Sequence, residues 1–250
     1  MKAIVLLLSA VCAGTSFAAT SEVPAEDYGS PRPREVDYDA KGVPSDAIRL
    51  FDGTNLDRWR DMKGGPATWP IQPDGTMLVD KTGNTPTSVV ASVYTKAEFS
   101  NFQLHLEFRI PPSVKSMAHP QHRGNSGVKI FGCYEVQVLG SKGQETYVNG
   151  LCGAIYLTSA PAVVASRPFG EWESYDIIFH APCVRDGEVL EQATFTVLQN
   201  GVVVQDHVHV QPCRNTPANR VKTKGVIELQ SHNDPSEPLA FRNIWLRELR

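Results

Sequence analysis

The sequence is poor in the features that mark several large classes of protein. Only five of its 250 residues are cysteine, 20% are charged, and the 24 basic residues are slightly outnumbered by 27 acidic ones. Its formal net charge is −3 and it has no block of basic residues, which argues against a nucleic-acid partner. The GxSxG, HExxH and P-loop motifs are also absent, so the common hydrolase, metalloprotease and nucleotide-binding signatures do not apply.

Long hydrophobic runs are missing too, except at the N-terminus. There, Lys2 precedes the apolar stretch "AIVLLLSAVCAG", and "SFA" at 16–18 supplies small residues for cleavage. This pattern predicts a signal peptide over residues 1–19 and a periplasmic or secreted chain. The stretch is short for a membrane span, and none is expected elsewhere. Cys12 raises the alternative of a lipoprotein, but Val11 stands where a small residue would be expected.

Cleavage of the predicted signal peptide would remove Cys12 and leave four cysteines in an exported chain. In an oxidising compartment an even number of cysteines favours disulfides. We predict Cys133 with Cys152 and Cys183 with Cys213, since each pair brackets neighbouring strand-like segments. The sequence does not choose among the three possible pairings, and free buried thiols are the alternative. No CxxC spacing is present, which argues against a zinc site.

The remainder of the chain divides into a lead-in and a β-rich domain. Residues 20–45 are rich in proline, glycine and charge, which predicts a flexible segment. Over 46–250, short strand-like runs alternate with turn residues, and no amphipathic helical stretch exceeds about two turns. In this region "QNG" (199–201) is a hairpin signal, because Asn-Gly tolerates positive φ. The pattern predicts one all-β domain, an antiparallel β-sandwich or barrel.

Three strand-like segments carry an unusual polar side. In a strand, alternate side chains share a face, which groups Glu107 with Arg109, then Lys129 with Glu135 and Gln137, then Glu228 with Gln230 and His232. Carboxylates and amides bind sugar hydroxyls, and aromatic rings cover the C–H surface of a sugar. One interpretation is therefore a ligand face; the other is a hydrated sheet with cross-strand ion pairs.

Some histidines and tryptophans are further candidates. His119 with His122, and His207 with His209, have spacings that suit a metal ion, although exposed loop or strand histidines account for them equally simply. Among the four tryptophans, we single out Trp69 as a platform for stacking on a sugar and expect the others to be core or loop-anchoring residues.

Taken in order, several segments resemble the bacterial 3-keto-disaccharide hydrolase domain family. They run from about residue 48 to the C-terminus and include "IRLFDGTNLDRW", "FSNFQLHLEFRIP", "GNSGVKIFGCYEVQVLGS", "CGAIY", "FGEWESYDIIFHAP" and "IELQSHNDPSEPLAFRNIWLREL". The resemblance implies a jelly roll of the concanavalin A-like lectin/glucanase type. The sequence departs from the family pattern at Asn233, at Cys133 and in the longer insert "HAPCVRDGEVLEQ".

The resemblance also implies an activity on glycosides whose sugar has been oxidised to a ketone at C3 by a partner sugar 3-dehydrogenase. A C3 ketone acidifies the C2 proton, so that a base can form an enediolate and the C1 substituent can leave by elimination, or hydrolysis can follow. An ordinary glycosidase instead supports an oxocarbenium ion with paired carboxylates. Two alternatives are a non-catalytic carbohydrate-binding, lectin-like module and a structural cell-envelope protein, because fold does not fix function.

Carried onto this sequence, the resemblance implies catalytic roles for Glu135, His232 and Arg109. Glu135 or His232 would be the base, and Arg109, Lys129 or a bound divalent metal would stabilise the enolate. The candidates for substrate binding, with Trp69 added as the stacking residue, are Glu107, Lys129, Gln137, Gln230, Arg242 and Trp69. The donors suit calcium or a transition metal, but no spacing selects one. Substrate identity, anomeric preference and oligomeric state are not fixed by the sequence.

Overall fold

The computed structural model describes residues 33–81, 92–211 and 221–249. The predicted signal peptide (1–19) and residues 20–32 of the lead-in lie outside these ranges. The strands are β1 (Ile48–Phe51), β2 (Trp59–Arg60), β3 (Met77–Leu78), β4 (Val93–Thr95), β5 (Phe102–Arg109), β6 (Ser126–Ile130), β7 (Tyr134–Val138), β8 (Trp172–His180), β9 (Cys183–Arg185), β10 (Glu188–Glu191), β11 (Ala193–Gln199), β12 (Val202–Val210), β13 (Ile227–Leu229) and β14 (Ala240–Glu248). Short 3-10 helices span Pro112–Ser116, Pro120–His122 and Val148–Gly150.

These strands form two antiparallel layers. The large sheet has the order β1-β14-β5-β8-β11-β12, with β3 also paired to β14, and the small sheet has the order β2-β4-β13-β6-β7. Strands β9 and β10 form a separate hairpin. The predicted all-β antiparallel sandwich is confirmed. No helix within the described ranges is long and apolar enough to cross a membrane.

The two sheets share one hydrophobic core. Strand β5 buries every second side chain from Phe102 to Phe108, as its alternating sequence predicts. Phe179 of β8 meets Tyr134 of β7 with ring centroids 5.8 Å apart, which joins the layers. Each sheet therefore has an inward apolar face and an outward face, and the two outward faces lie on opposite sides of the core.

Two turns decide where polar side chains fall. The predicted hairpin at "QNG" forms, with φ of 54° at Asn200 and 79° at Gly201, the conformation that matches the twist of the flanking strands. A second hairpin was not predicted: "VKIFGCYEVQVL" is two strands, β6 and β7, joined through Phe131 and Gly132, which also have positive φ. As a result, Lys129 and Glu135 are direct cross-strand neighbours.

The last part of the predicted lead-in packs against the domain. The compact unit begins at Val36, and Val43 is buried in it. Asp39 accepts a hydrogen bond from Arg49 at 2.8 Å and binds the backbone of Lys41 and Val43. This compact unit therefore begins about ten residues before the predicted boundary at residue 46.

The predicted disulfide pairs do not form. Cys152 and Cys183 are both free thiols, so the pairings Cys133–Cys152 and Cys183–Cys213 are wrong; Cys213 itself lies outside the described residues. Cys152 is buried within 3.0 Å of the Tyr175 hydroxyl, and burial raises the pKa of this thiol to about 12. It is thus a protonated core residue at neutral pH.

Trp69 is a core residue, and its predicted role as a sugar platform is wrong. Only 2% of its surface is exposed, and its ring stacks on Phe241 at 6.0 Å. We expect Trp69→Ala to lower the free energy of unfolding by about 3–5 kcal/mol, because a large cavity replaces the indole. Urea denaturation measures this, with Tyr38→Ala at an exposed aromatic as the control. An unchanged stability would contradict the core role.

Candidate functional site

The outward face of the small sheet carries a continuous polar row. Strand register pairs Arg60 with Tyr94, Tyr94 with Glu228, Glu228 with Lys129, and Lys129 with Glu135. Directly opposed residues on neighbouring antiparallel strands point to the same side, with Cβ atoms about 5 Å apart. Each of the five strands therefore contributes one polar side chain to the row.

A second row beside it is formed by buried amides. Register pairs Gly127 with Gln137, and the Gln230 backbone N–H donates to the Gly127 carbonyl at 2.9 Å. The Gln137 and Gln230 side chains are 1% and 9% exposed. Within the described residues, the Oε1 atom of each has no hydrogen-bond partner. A buried acceptor without a donor is uncommon. It marks a place where a ligand or a water molecule would donate a hydrogen bond.

Glu135 belongs to the first row, and the environment of its carboxylate makes it a candidate base. Its side chain crosses over Gly127, where an added Cβ would come within 2.8 Å of Glu135 Cγ. No described residue gives its carboxylate a hydrogen bond or an ion pair. Burial raises the pKa of Glu135 above its usual value; the charge of Glu228 adds to this, while Lys129 and His232 oppose it. An unpaired carboxyl group with a raised pKa suits a general base.

His232 is oriented by a buried carboxylate. Its Nδ1 atom lies 3.4 Å from Asp234 Oδ2, and the Asp234 side chain is fully buried. Asp234 is fixed in turn by Lys81 Nζ at 3.1 Å and by the Ser236 backbone N–H at 2.8 Å. Burial opposes ionisation of Asp234, but the contact with His232, the hydrogen bond from Ser236 and the charge of Lys81 lower its pKa. The imidazole keeps a third of its surface exposed and can meet a ligand.

The short helix Pro120–His122 brings further polar groups close to Gln137 and His232. Burial lowers the pKa of His122, with the charges of His119 and His232 among the contributions. Gln137 Nε2 reaches Gln121 Oε1 at 3.3 Å. The rings of His119 and His122 are 4.2 Å apart. In the described part of the chain, however, no three His, Cys, Asp or Glu side chains form a group that could hold a metal ion, so the divalent metal stays a prediction.

The sequence pattern did not single out Tyr156, which extends the first row. Its backbone N–H donates to the Glu135 carbonyl at 2.9 Å, and Ile155 forms a bridge with Val136. Since Ile155 points to the core with Val136, Tyr156 points outward beside Glu135. The hydroxyls of Tyr147 and Tyr156 are 2.8 Å apart. The segment "CGAIY" is too short and too irregular to be recognised as a strand, which is why Tyr156 was missed.

Three of the predicted site residues lie elsewhere, on the outward face of the large sheet. Glu107 Oε2 accepts from Arg242 Nε at 2.6 Å. The guanidinium carbons of Arg109 and Arg242 lie 4.8 and 4.0 Å from the ring centroid of Trp172. The core separates this network from Glu135. The prediction that Arg109 acts beside Glu135, with Glu107 and Arg242 binding the same substrate, is therefore wrong; Glu135, Lys129, Gln137, Gln230 and His232 do share one face.

The network on the large sheet makes stability depend on pH. Burial opposes charge on His105, but the hydrogen bond with Asp176, at 2.8 Å, and the nearby carboxylate of Glu107, 4.0 Å away, raise the pKa of His105 to about 9. The folded state thus holds this proton more tightly than the unfolded chain. The stability gained from this tighter proton binding is fully present below about pH 6.5 and is lost as the pH rises towards 9. We expect the free energy of unfolding to fall by up to about 3 kcal/mol over this range.

Urea denaturation at a series of pH values tests this prediction, and His105→Gln should remove the decline. His180→Gln, at an exposed histidine of the neighbouring strand, is the matched control and should keep it. An identical decline in wild type and His105→Gln would show that other groups cause it.

Comparisons with known proteins agree with this architecture. A family model described as "3-keto-alpha-glucoside-1,2-lyase-like domain" matches residues 46–247, whereas a comparison with curated proteins found no match. A "putative glycosyl hydrolase" of Parabacteroides distasonis, known from a crystal structure, is 42% identical with a TM-score of 0.78, covering 94% of this chain and 100% of that chain. Two more crystal structures from that organism share the fold. One is 19% identical with a TM-score of 0.58, covering 82% of this chain and 94% of that chain. The other is 23% identical with a TM-score of 0.55, covering 81% of this chain and 99% of that chain.

Proposed function

The chain belongs to the family of 3-keto-alpha-glucoside-1,2-lyase-like domains, and on that premise we propose that it is an exported enzyme that cleaves the glycosidic bonds of 3-keto-glycosides. One observation carries the proposal: the Glu135 carboxylate, unpaired among the described residues and raised in pKa, lies in a polar row beside Lys129 and within the field of His232. The periplasmic or secreted location, and a sugar 3-dehydrogenase that supplies the ketone, belong to the same proposal.

Proton abstraction is the first step. Glu135 takes the proton from C2 of the bound sugar, and the C–H electrons form a C2=C3 double bond as the C3 carbonyl oxygen becomes an enediolate. Burial makes Glu135 a stronger base than an exposed carboxylate. No paired carboxylate at glycosidase spacing is needed, because no oxocarbenium ion forms.

Lys129, rather than Arg109, stabilises the enediolate in this mechanism. Lys129 is the cation directly across the strand pair from Glu135, so an oxygen bound between them would lie next to its ammonium group. A positive charge fixed where negative charge develops lowers the barrier without reorganisation. The buried amides of Gln137 and Gln230, whose Oε1 atoms have no hydrogen-bond partner among the described residues, would bind neighbouring hydroxyls.

Departure of the leaving group completes the elimination. As the C3 carbonyl re-forms, a C1=C2 double bond appears and the bond from C1 to the leaving-group oxygen breaks. His232, held by Asp234, is the side chain that would donate a proton to that oxygen. The products are a 2-hydroxy-3-keto-glycal and the free aglycone, and addition of water to the glycal would yield the 3-keto sugar.

None of these proposed steps uses a metal ion, because the described residues do not provide three metal-binding side chains in one group. A divalent ion bound with help from substrate oxygens would supply Lewis-acid stabilisation of the enediolate. Treatment with EDTA followed by calcium or a transition metal, with turnover as the readout, tests that prediction.

The deciding experiment is incubation of the purified mature chain with a panel of 3-keto-glucosides, 3-keto-disaccharides and the matching non-oxidised glycosides. We expect release of the aglycone from the 3-keto compounds alone. Calorimetry with the same panel distinguishes the rival, a carbohydrate-binding module: binding of intact 3-keto compounds without any cleavage would overturn the enzymatic proposal.

A further inference from the structure

We infer that the leaving group of the natural substrate is an aromatic or otherwise apolar aglycone rather than a second sugar. It would be bound by four residues at the rim of the site: Tyr147, Val148, Tyr156 and Leu157, here called the rim patch. This inference rests on the proposed function and specifies which 3-keto-glycosides the site accepts.

The rim patch is continuous with the reacting groups. Tyr156 is the outward neighbour of Glu135 across the backbone hydrogen bond between them. Leu157 follows Tyr156, and its N–H donates to the Asn149 carbonyl at 2.9 Å, which places it against the short helix Val148–Gly150. For a sugar whose C2 faces Glu135 and whose C1 is directed towards Tyr156, the leaving group would extend over these side chains.

The rim patch exposes unusually much apolar surface. Tyr147, Val148 and Leu157 are 42%, 64% and 62% exposed. Single exposed apolar residues are common, but several large ones gathered beside a polar site indicate a binding surface. Nothing in the described core requires these side chains, since none of them belongs to the buried cluster.

Backbone geometry supports a binding role for Leu157 and Tyr147. Leu157 has φ of 56°, a conformation that disfavours branched side chains and that glycine or asparagine adopts more readily. An exposed leucine held in this conformation contributes little to folding, and such residues concentrate at ligand sites. The ring of Tyr147 lies against Gly150, where an added Cβ would come within 2.7 Å of Tyr147 Cδ2. The glycine therefore gives the tyrosine a fixed place.

The chemistry of the rim patch fits an aryl group better than a sugar. The tyrosine rings offer faces for stacking, and the paired hydroxyls of Tyr147 and Tyr156 offer a donor for a phenolic oxygen. Burial, with the hydrogen bond to Tyr156, raises the pKa of Tyr147, so it stays a donor at neutral pH. A second sugar would need partners for several hydroxyls, and Val148 and Leu157 supply none.

A double variant, Val148→Ser with Leu157→Gly, tests the inference. Its kcat/KM is measured with an aryl 3-keto-glucoside and with a 3-keto-disaccharide, and each value is divided by that of wild type so that leaving-group acidity cancels. We expect about a tenfold loss for the aryl substrate, from the apolar contact removed, and less than about a twofold change for the disaccharide. The matched control is Val163→Ser with Val202→Ser, at exposed valines outside the patch.

The outcomes separate the two proposals. Equal losses on both substrates, or no loss on either, would overturn the apolar leaving group and leave the enzymatic function standing. No cleavage of either substrate by wild type would overturn both. Light scattering of the purified proteins covers the remaining alternative: a wild-type dimer that the double variant converts to a monomer would show that the patch is a contact between two copies.

Discussion

Replacing Glu135 by glutamine is expected to lower kcat for 3-keto-glycosides by about 10²–10⁴-fold, the usual contribution of a positioned general base. Glutamine preserves the size of the side chain, but it cannot accept the C2 proton. Calorimetric binding of the 3-keto-glycoside should therefore change by less than about threefold. Turnover is followed by aglycone release, with fold and stability checked by circular dichroism and urea denaturation.

Two companion variants sharpen this result. His232→Ala should also abolish turnover of substrates whose leaving group needs a proton, and the loss should be smaller for leaving groups that depart without one. Arg109→Ala, on the opposite face of the sandwich, should leave kcat within about threefold of wild type. If Glu135→Gln retained full cleavage, the assignment of the base would be wrong even if the protein is an enzyme.

Replacing Gly127 by alanine is expected to lower kcat about a hundredfold although no charged or polar group is removed, since misplacing a catalytic group by about 1 Å costs that much. The added Cβ would occupy the space crossed by the Glu135 side chain, so the carboxylate must swing away from the row. The flexible side chain can move while the strands stay paired, and alanine is no worse than glycine in a strand. Urea denaturation should therefore show unchanged or slightly higher stability.

A double-mutant cycle isolates the cause. If Gly127 acts only by placing Glu135, adding Gly127→Ala to Glu135→Gln should cause almost no further loss of kcat. Losses that multiply would mean that Gly127 serves the substrate directly, for example by allowing close approach of a sugar ring to the backbone. Hydrogen bonding from Gln230 to the Gly127 carbonyl is a backbone contact and should persist in both variants.

The strand faces were predictable because alternation is a local property. In β5 the apolar positions from Phe102 to Phe108 are buried and the polar ones are not. The hairpin at Asn200 and Gly201 was likewise predictable from two residues that tolerate positive φ. The turn at Phe131 and Gly132 was not, because phenylalanine rarely adopts positive φ. The contact between His232 and the buried Asp234 carboxylate was not predictable either, because it also depends on Lys81, which is 153 residues from Asp234 in the chain.

By itself, the sequence determined which side of each strand faces a core, and with it the all-β class and the polar character of the other side. Only the tertiary structure decided that Glu135 and His232 share the face of one sheet while Arg109 and Glu107 belong to the other. The physical reason is that a period of two gives a strand two sides but does not specify which sheet it joins. That choice comes from long-range hydrogen bonding and core packing, which unite strands far apart in the chain.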